Sequence, residues 1–228
     1  MIGTAIPSTG LDLDGCRLLA RGAMREVYEH PHDPNLLLKV VRADRLRRHA
    51  TARGVKAALK RRGAFGPYRI IARECLAYLT VARRAEEAGR PVPIAGCHGI
   101  VPTVRGLASA CEYIRGTDGT VAPTLHALVE EDRLASDQLA ALNAFVADLH
   151  ALDVVTGDLN ARNIVFDAGR GVFVLVDGFG DNTILPLRSW FPRYNARRLD
   201  MGFAKIAGRT GLPWDAAARR FSTAAGTG

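Results

Sequence analysis

The chain has 228 residues, 48% of them hydrophobic and 24% charged, with a formal net charge of +8. That length suits one or two small domains with a full core, and that balance is the one of a soluble globular protein. No apolar run approaches the ~20 residues needed to span a bilayer, and the opening MIGTAIPSTG has neither the charged nor the apolar region of a secretory signal.

The four cysteines, Cys16, Cys75, Cys97 and Cys111, show no C-x-x-C spacing, which points to reduced, mostly buried thiols in a cytoplasmic protein. Cys97-His98 has no second ligand pair, so a structural role fits it better than a metal site. The charge is concentrated. Between Arg42 and Arg62 stand nine Lys or Arg residues and one acid, Asp44, a surplus equal to that of the whole chain. Such a segment is either a docking face for an anionic partner or a solvated helix face.

In chain order, residues 1–14 read as a loosely held leader rich in Gly, Pro, Ser and Asp. From Cys16, CRLLARGAMREVYEH alternates and turns like a first hairpin, closing through Pro31 to Asn35. Leu36 to Val41, LLLKVV, is a strand in which Lys39 is costly to bury without an anionic partner. Tyr68 to Glu87 has helical periodicity, with Ile71, Cys75, Leu79 and Ala82 on one stripe. Glu74 lies beside that stripe and is the candidate partner of Lys39; the alternative is a surface glutamate served by Arg69, Arg73 and Arg83. After Pro91-Val92-Pro93, Gly99 to Arg105 and Leu107 to Ile114 read as strands joined at Gly106. Arg115 to Gly119 is a turn that marks a domain boundary. Thr124 to Glu131 is a short helix, and Ser136 to Leu149 a stronger one with Ser136 as its N-cap.

The stretch VVTGDLNARNIVFDAGRGVFVLVDGFGDN, residues 154–182, carries the chemistry. Ile164 to Phe166 and Val172 to Val176 are short β-prone runs around the turn residues Asp167 to Gly171, so they form a hairpin. Asn163 enters its first strand and Asp177 leaves its second, at the same open end. An amide oxygen and a carboxylate there are hard ligands of the kind Mg²⁺ accepts, with phosphate oxygens completing the shell. Asp158, in the preceding loop, is placed to face a substrate hydroxyl. The pattern points to phosphoryl transfer. Beyond it, Asn195 to Ala207 and Trp214 to Phe221 read as two helices, and STAAGTG should fray.

TGDLNARN followed by LVDGFG resembles the catalytic and metal loops of the protein-kinase-like fold. Over its length the chain resembles the small bacterial kinase-like family named for the PhoP regulatory network, and over the catalytic loop it is similar to the lipopolysaccharide Kdo kinases. The resemblance implies an α+β, bilobal protein-kinase-like fold with a minimal C-terminal helical lobe, divided as a leader (1–14), a β-rich lobe (15–115) and a catalytic lobe (116–228). It implies Asp158 as catalytic base and Asn163 and Asp177 as Mg²⁺ ligands. Lys39 would grip the ATP phosphates and pair with Glu74. Gly22 would be the one glycine kept from a phosphate-covering loop, with Ala20 and Arg25 where the others stand; the Arg25 guanidinium could itself meet a phosphate. Glu112-Tyr113-Ile114 would be the hinge, with backbone groups of Glu112 and Ile114 meeting adenine. His150 would be a packed structural histidine.

Thr156-Gly157 replaces the usual His-Arg or His-Gly, and Gly178 adds one residue to D-F-G. No A-P-E follows, and Asn160 stands where serine/threonine kinases have lysine. The expected function is therefore an ATP- and Mg²⁺-dependent phosphotransferase acting on a small molecule or glycan. The rival is a nucleotide-binding pseudokinase with a regulatory role. A third reading, a basic nucleic-acid-binding protein, rests only on residues 42–62, which contain no stacking aromatic. The expected location is cytoplasmic, with peripheral attachment at the inner membrane left open.

Overall fold

In the computed structural model, which describes residues 10–51, 65–116, 119–180 and 191–222, the LLLKVV run forms the middle strand of a five-stranded antiparallel sheet. The strands are β1 (Leu18–Arg21), β2 (Arg25–Glu29), β3 (Leu36–Val41), β4 (Cys97–Thr103) and β5 (Gly106–Glu112), in the order β1-β2-β3-β5-β4. Strand side chains alternate between faces. Leu38 and Val40 therefore join Leu13, Tyr28, Ala108 and Ala110 in one apolar cluster. Lys39 goes to the opposite face, in register with Val27 and Ser109, while Arg25 stands opposite Val41 and Cys111 opposite Leu37. Among the described residues, β3 is followed by the helices α1 (Ala43–Thr51) and α2 (Arg69–Ala88).

The chain divides into two units, residues 1–75 with 96–113, and residues 76–95 with 114–228. The second is built around Leu142, Phe145, Val146 and Leu149 of helix α4 (Ser136–Ala151), packed with Ile164, Phe173, Leu175, Leu199 and Phe203. It also holds α3 (Leu125–Glu130), the hairpin β6 (Ile164–Asp167) and β7 (Val172–Leu175), and α5 (Pro192–Thr210). The mixed α+β class is as expected, and so is the order of elements: strand lysine, helix glutamate, two strands, helices, catalytic stretch.

Four local expectations are corrected. Residues 10–14 are held, not loose: Leu13 is buried, and Leu11 exchanges backbone hydrogen bonds with Pro102 and Val104. The rest of the expected leader, residues 1–9, lies outside the described residues. The β4–β5 turn falls at Val104-Arg105, and Gly106, at φ +116°, opens β5. Ala135, not Ser136, is the N-cap of α4, and its N–H is met by Gln138 Oε1 at 3.0 Å. Trp214 to Phe221 is a small hairpin, β8 (Trp214–Asp215) and β9 (Arg220–Phe221), rather than a helix. There Asp215 Oδ1 accepts from the amides of Ala217 (2.8 Å) and Ala218 (2.9 Å), a side-chain turn that competes with helix formation. Among the described residues no helix is long and apolar enough to cross a membrane.

Candidate active site

The β6–β7 hairpin positions the candidate catalytic residues. Ile164 pairs with Leu175 and Asp167 with Val172, and the Val176 N–H extends the ladder by donating to the Asn163 carbonyl at 2.9 Å. Asn163 and Asp177 thus leave the hairpin at one end, as its strand pairing requires. The Asn163 amide Nδ2 donates to the Asp158 carbonyl (3.1 Å) and to Asp158 Oδ2 (3.4 Å). That fixes the amide's orientation and turns its oxygen away from Asp158. Asp158 itself is exposed. The turn between is built by Asn160, whose Oδ1 accepts from the Arg162 N–H at 3.0 Å and whose carbonyl accepts from the Asn163 N–H at 3.1 Å.

The two departures from the kinase pattern meet each other. Gly178, the inserted residue, offers its carbonyl to three donors: Thr156 Oγ1 (3.0 Å), the Gly157 amide (2.8 Å) and the Asp158 amide (3.3 Å). Thr156, standing where a histidine is usual, is one of those donors. Gly178 has φ +79°, and a Cβ there would lie 2.8 Å from the Asp158 carbonyl oxygen. Only glycine fits that conformation and that approach. The insertion therefore ties the Asp177 loop to the Asp158 loop, and Phe179 beyond it is buried in the core. Asp177 Oδ1 accepts from the Gly178 amide at 2.6 Å, which orients the carboxylate.

The chain before the catalytic loop is clamped by residues whose role was not legible in the sequence. Asn195 of α5 is buried, and its Nδ2 donates to Asp153 Oδ1 (2.8 Å) and the Val154 carbonyl (3.1 Å). Arg84 Nη1 donates to the carbonyls of Leu152 and Asp153, both at 3.0 Å. A buried asparagine needs partners, but nothing in a linear pattern names them. His150 behaves as a packing residue, with its ring beside Phe203. Burial pushes its pKa below the usual histidine value, and Arg219 adds to that, against the opposing carboxylates of Asp200 and Asp153.

In the first unit, Lys39 and Glu74 are both buried. The carboxylate of Glu74 is engaged by Arg25, with Nη1 to Oε2 at 2.5 Å and both side chains almost fully buried. Arg25 was expected as a lost glycine with a guanidinium free to meet phosphate. It instead points inward and pairs with that glutamate. Glu74 Oε1 is buried with no hydrogen-bond partner. Next to Glu74, the thiols of Cys75 and Cys97 lie 3.2 Å apart. Burial, then the Cys97 thiol, pushes the Cys75 pKa up to about 12, so Cys75 stays protonated at neutral pH.

Gly22 lies in the turn between β1 and β2, where its N–H donates to the Arg25 carbonyl at 2.8 Å. The first part of the basic segment braces that turn: Arg42 Nη1 donates to the Gly22 carbonyl (3.1 Å) and Arg45 Nε to the Ala23 carbonyl (3.0 Å). Arg42, Arg45 and Arg48 also surround Asp44, whose carboxyl is held below the usual range chiefly by its hydrogen bond from Arg42. Arg42 and Arg45 are thus not free docking charges. Most of the remaining segment, 52–62, lies outside the described residues. At the expected hinge, the Glu112 N–H donates to the Gly96 carbonyl (2.9 Å) and its Oε2 accepts from the Gly96 N–H (3.0 Å). The boundary between the two units falls between Tyr113 and Ile114. The Ile114 carbonyl accepts from the Ala122 N–H at 3.2 Å.

Among known structures, the kinase domain of PknI from Mycobacterium tuberculosis is similar to this chain at 20% identity, covering 90% of this chain and 80% of that one with a TM-score of 0.49. No curated protein matches the sequence. The family model of the PhoP regulatory network protein YrbL matches residues 11–211. The chain belongs to the YrbL family of PhoP regulatory network proteins.

Proposed function

We propose that the protein is an ATP- and Mg²⁺-dependent phosphotransferase whose acceptor is a small molecule or glycan. The observation that carries this reading is the catalytic stretch: an exposed Asp158, held by a loop that is itself bonded to the metal loop through Gly178. The donor set fits Mg²⁺. Asn163 spends its amide N–H on Asp158 and keeps its oxygen for a ligand, and the Asp177 carboxylate is oriented by the Gly178 amide. Asn163 and Asp177 would hold the ion, which when bound supplies positive charge against the phosphate oxygens. Lys39 would meet the phosphates as a second cation, with Arg25 keeping the buried Glu74 neutralised. Backbone groups of Glu112 and Ile114 would meet the adenine edge, and Gly22 would lie over the phosphates. Asp158 would accept the proton of the attacking hydroxyl.

This reading predicts that ATP turnover requires Mg²⁺ and stops when EDTA removes it. Turnover that persists in EDTA would refute the metal assignment. A second reading, a nucleotide-binding regulatory protein without turnover, is favoured by one observation, the engagement of Glu74 by Arg25. Mg·ATP binding with no consumption of ATP would decide for it.

A further inference from the structure

A pocket of about 270 Å³ adjoins the catalytic loop within the second unit, lined by His126, Leu159 to Arg162, Lys205, Ile206, Arg209 and Thr210. Its polar wall is cationic. Among the described residues that line it, the charged ones are Arg162, Lys205 and Arg209. Arg162 is set in place from two sides: its backbone N–H closes the Asn160 turn, and its Nη2 lies 2.9 Å from His126 Nε2. The same His126 nitrogen lies 3.2 Å from Glu130 Oε2, so one carboxylate stands behind the histidine. The His126 N–H in turn donates to the Ala161 carbonyl at 3.1 Å. Arg209 stands in the last turn of α5, where it offsets the negative end of the helix, leaving Arg162 and Lys205 against the single carboxylate of Glu130.

We propose that this pocket binds a phosphate group carried by the acceptor. Ligand sites for whole drug-sized molecules run to ~300–1,000 Å³, so this one suits a single anionic group and not an entire substrate. A guanidinium fork beside an ammonium is the side-chain set that recognises phosphate. The pocket is built on the residues between Asp158 and Asn163, so an anchor there would hold the remainder of the acceptor near the catalytic loop. This assignment of the anion to the acceptor rests on the phosphotransferase reading.

The test uses the full chain and two variants on the exposed face of α5, Lys205→Gln and the double change Lys205→Ala with Arg209→Ala. Calorimetric titration with glycerol phosphate, in saturating Mg·ATP, should show binding that glycerol does not show. The double variant should bind it about tenfold or more weakly, since each lost charged hydrogen bond is costly, and Lys205→Gln should fall between. Vesicles of phosphatidic acid, titrated in parallel, tell whether the phosphate belongs to a soluble molecule or a lipid; loss of either affinity in the variants supports the pocket. Equal affinity of wild type and both variants for both probes would overturn it, as would no binding of either probe by the wild type. Failure of Mg·ATP to bind, with phosphate binding still lost in the variants, would sink the phosphotransferase reading alone.

Discussion

Replacing Arg25 by alanine should lower the melting temperature by roughly 10 °C. Arg25 and Glu74 form an ion pair at 2.5 Å with both side chains almost fully buried. Removing one member leaves a carboxylate in the protein interior with one oxygen, Oε1, already lacking a partner. Breaking a buried pair in this way costs about 3–5 kcal/mol. The pair itself need not be a net stabiliser, because its desolvation offsets much of its attraction. The combined change Arg25→Met with Glu74→Leu should therefore recover most of the loss. Melting curves of the three proteins check this. If Arg25→Ala melts with the wild type, the pair does not hold α2 to the sheet.

Changing Asp158 to asparagine should reduce ATP turnover about 100- to 10,000-fold, the range of a lost general base, while the Kd for Mg·ATP stays nearly the same. The substitution keeps shape and the hydrogen bond from Asn163, whose main contact is with the Asp158 carbonyl. It removes only the carboxylate proposed to take the proton. Asp158 touches neither Asn163 Oδ1 nor the Asp177 oxygen bonded to Gly178 in any described contact, so the proposed metal ligands remain. Steady-state turnover and equilibrium binding, measured on the same preparation, separate a lost base from a lost site. Equal turnover in mutant and wild type would remove Asp158 from the mechanism.

The hairpin was readable because β-branched runs flank a turn whose Asp167 receives both the Arg170 N–H and its guanidinium. Lys39 was readable because a lysine inside an apolar strand demands a reason. What was not readable is what depends on contact across the chain. Arg25 is 49 residues from Glu74, and a template compared position by position saw only a missing glycine. Thr156 and Gly178 looked like two separate defects, though one hydroxyl and one carbonyl join them across 22 residues. Leu13 sits in a stretch too polar overall to suggest a buried anchor, yet it is 1% exposed. The segment Trp214 to Phe221 is too short for periodicity to distinguish helix from hairpin, and the Asp215 side chain decides it. In the charge run at 42–62, it was likewise not readable that Arg42 and Arg45 spend donors on the β1–β2 turn.

In the proposed mechanism Asn163 and Asp177 hold the metal of a bound nucleotide. Thermal unfolding in ATP, with and without Mg²⁺, on wild type and Asp177→Ala tests it most directly. A ligand that binds only the folded chain stabilises it by about 2.7 kcal/mol at a hundred times its Kd, so saturating Mg·ATP should raise the wild-type melting temperature by roughly 5–10 °C. ATP without Mg²⁺ should give less, and Asp177→Ala should lose the Mg²⁺-dependent part. No shift at millimolar Mg·ATP, or an equal shift in Asp177→Ala, would contradict the account.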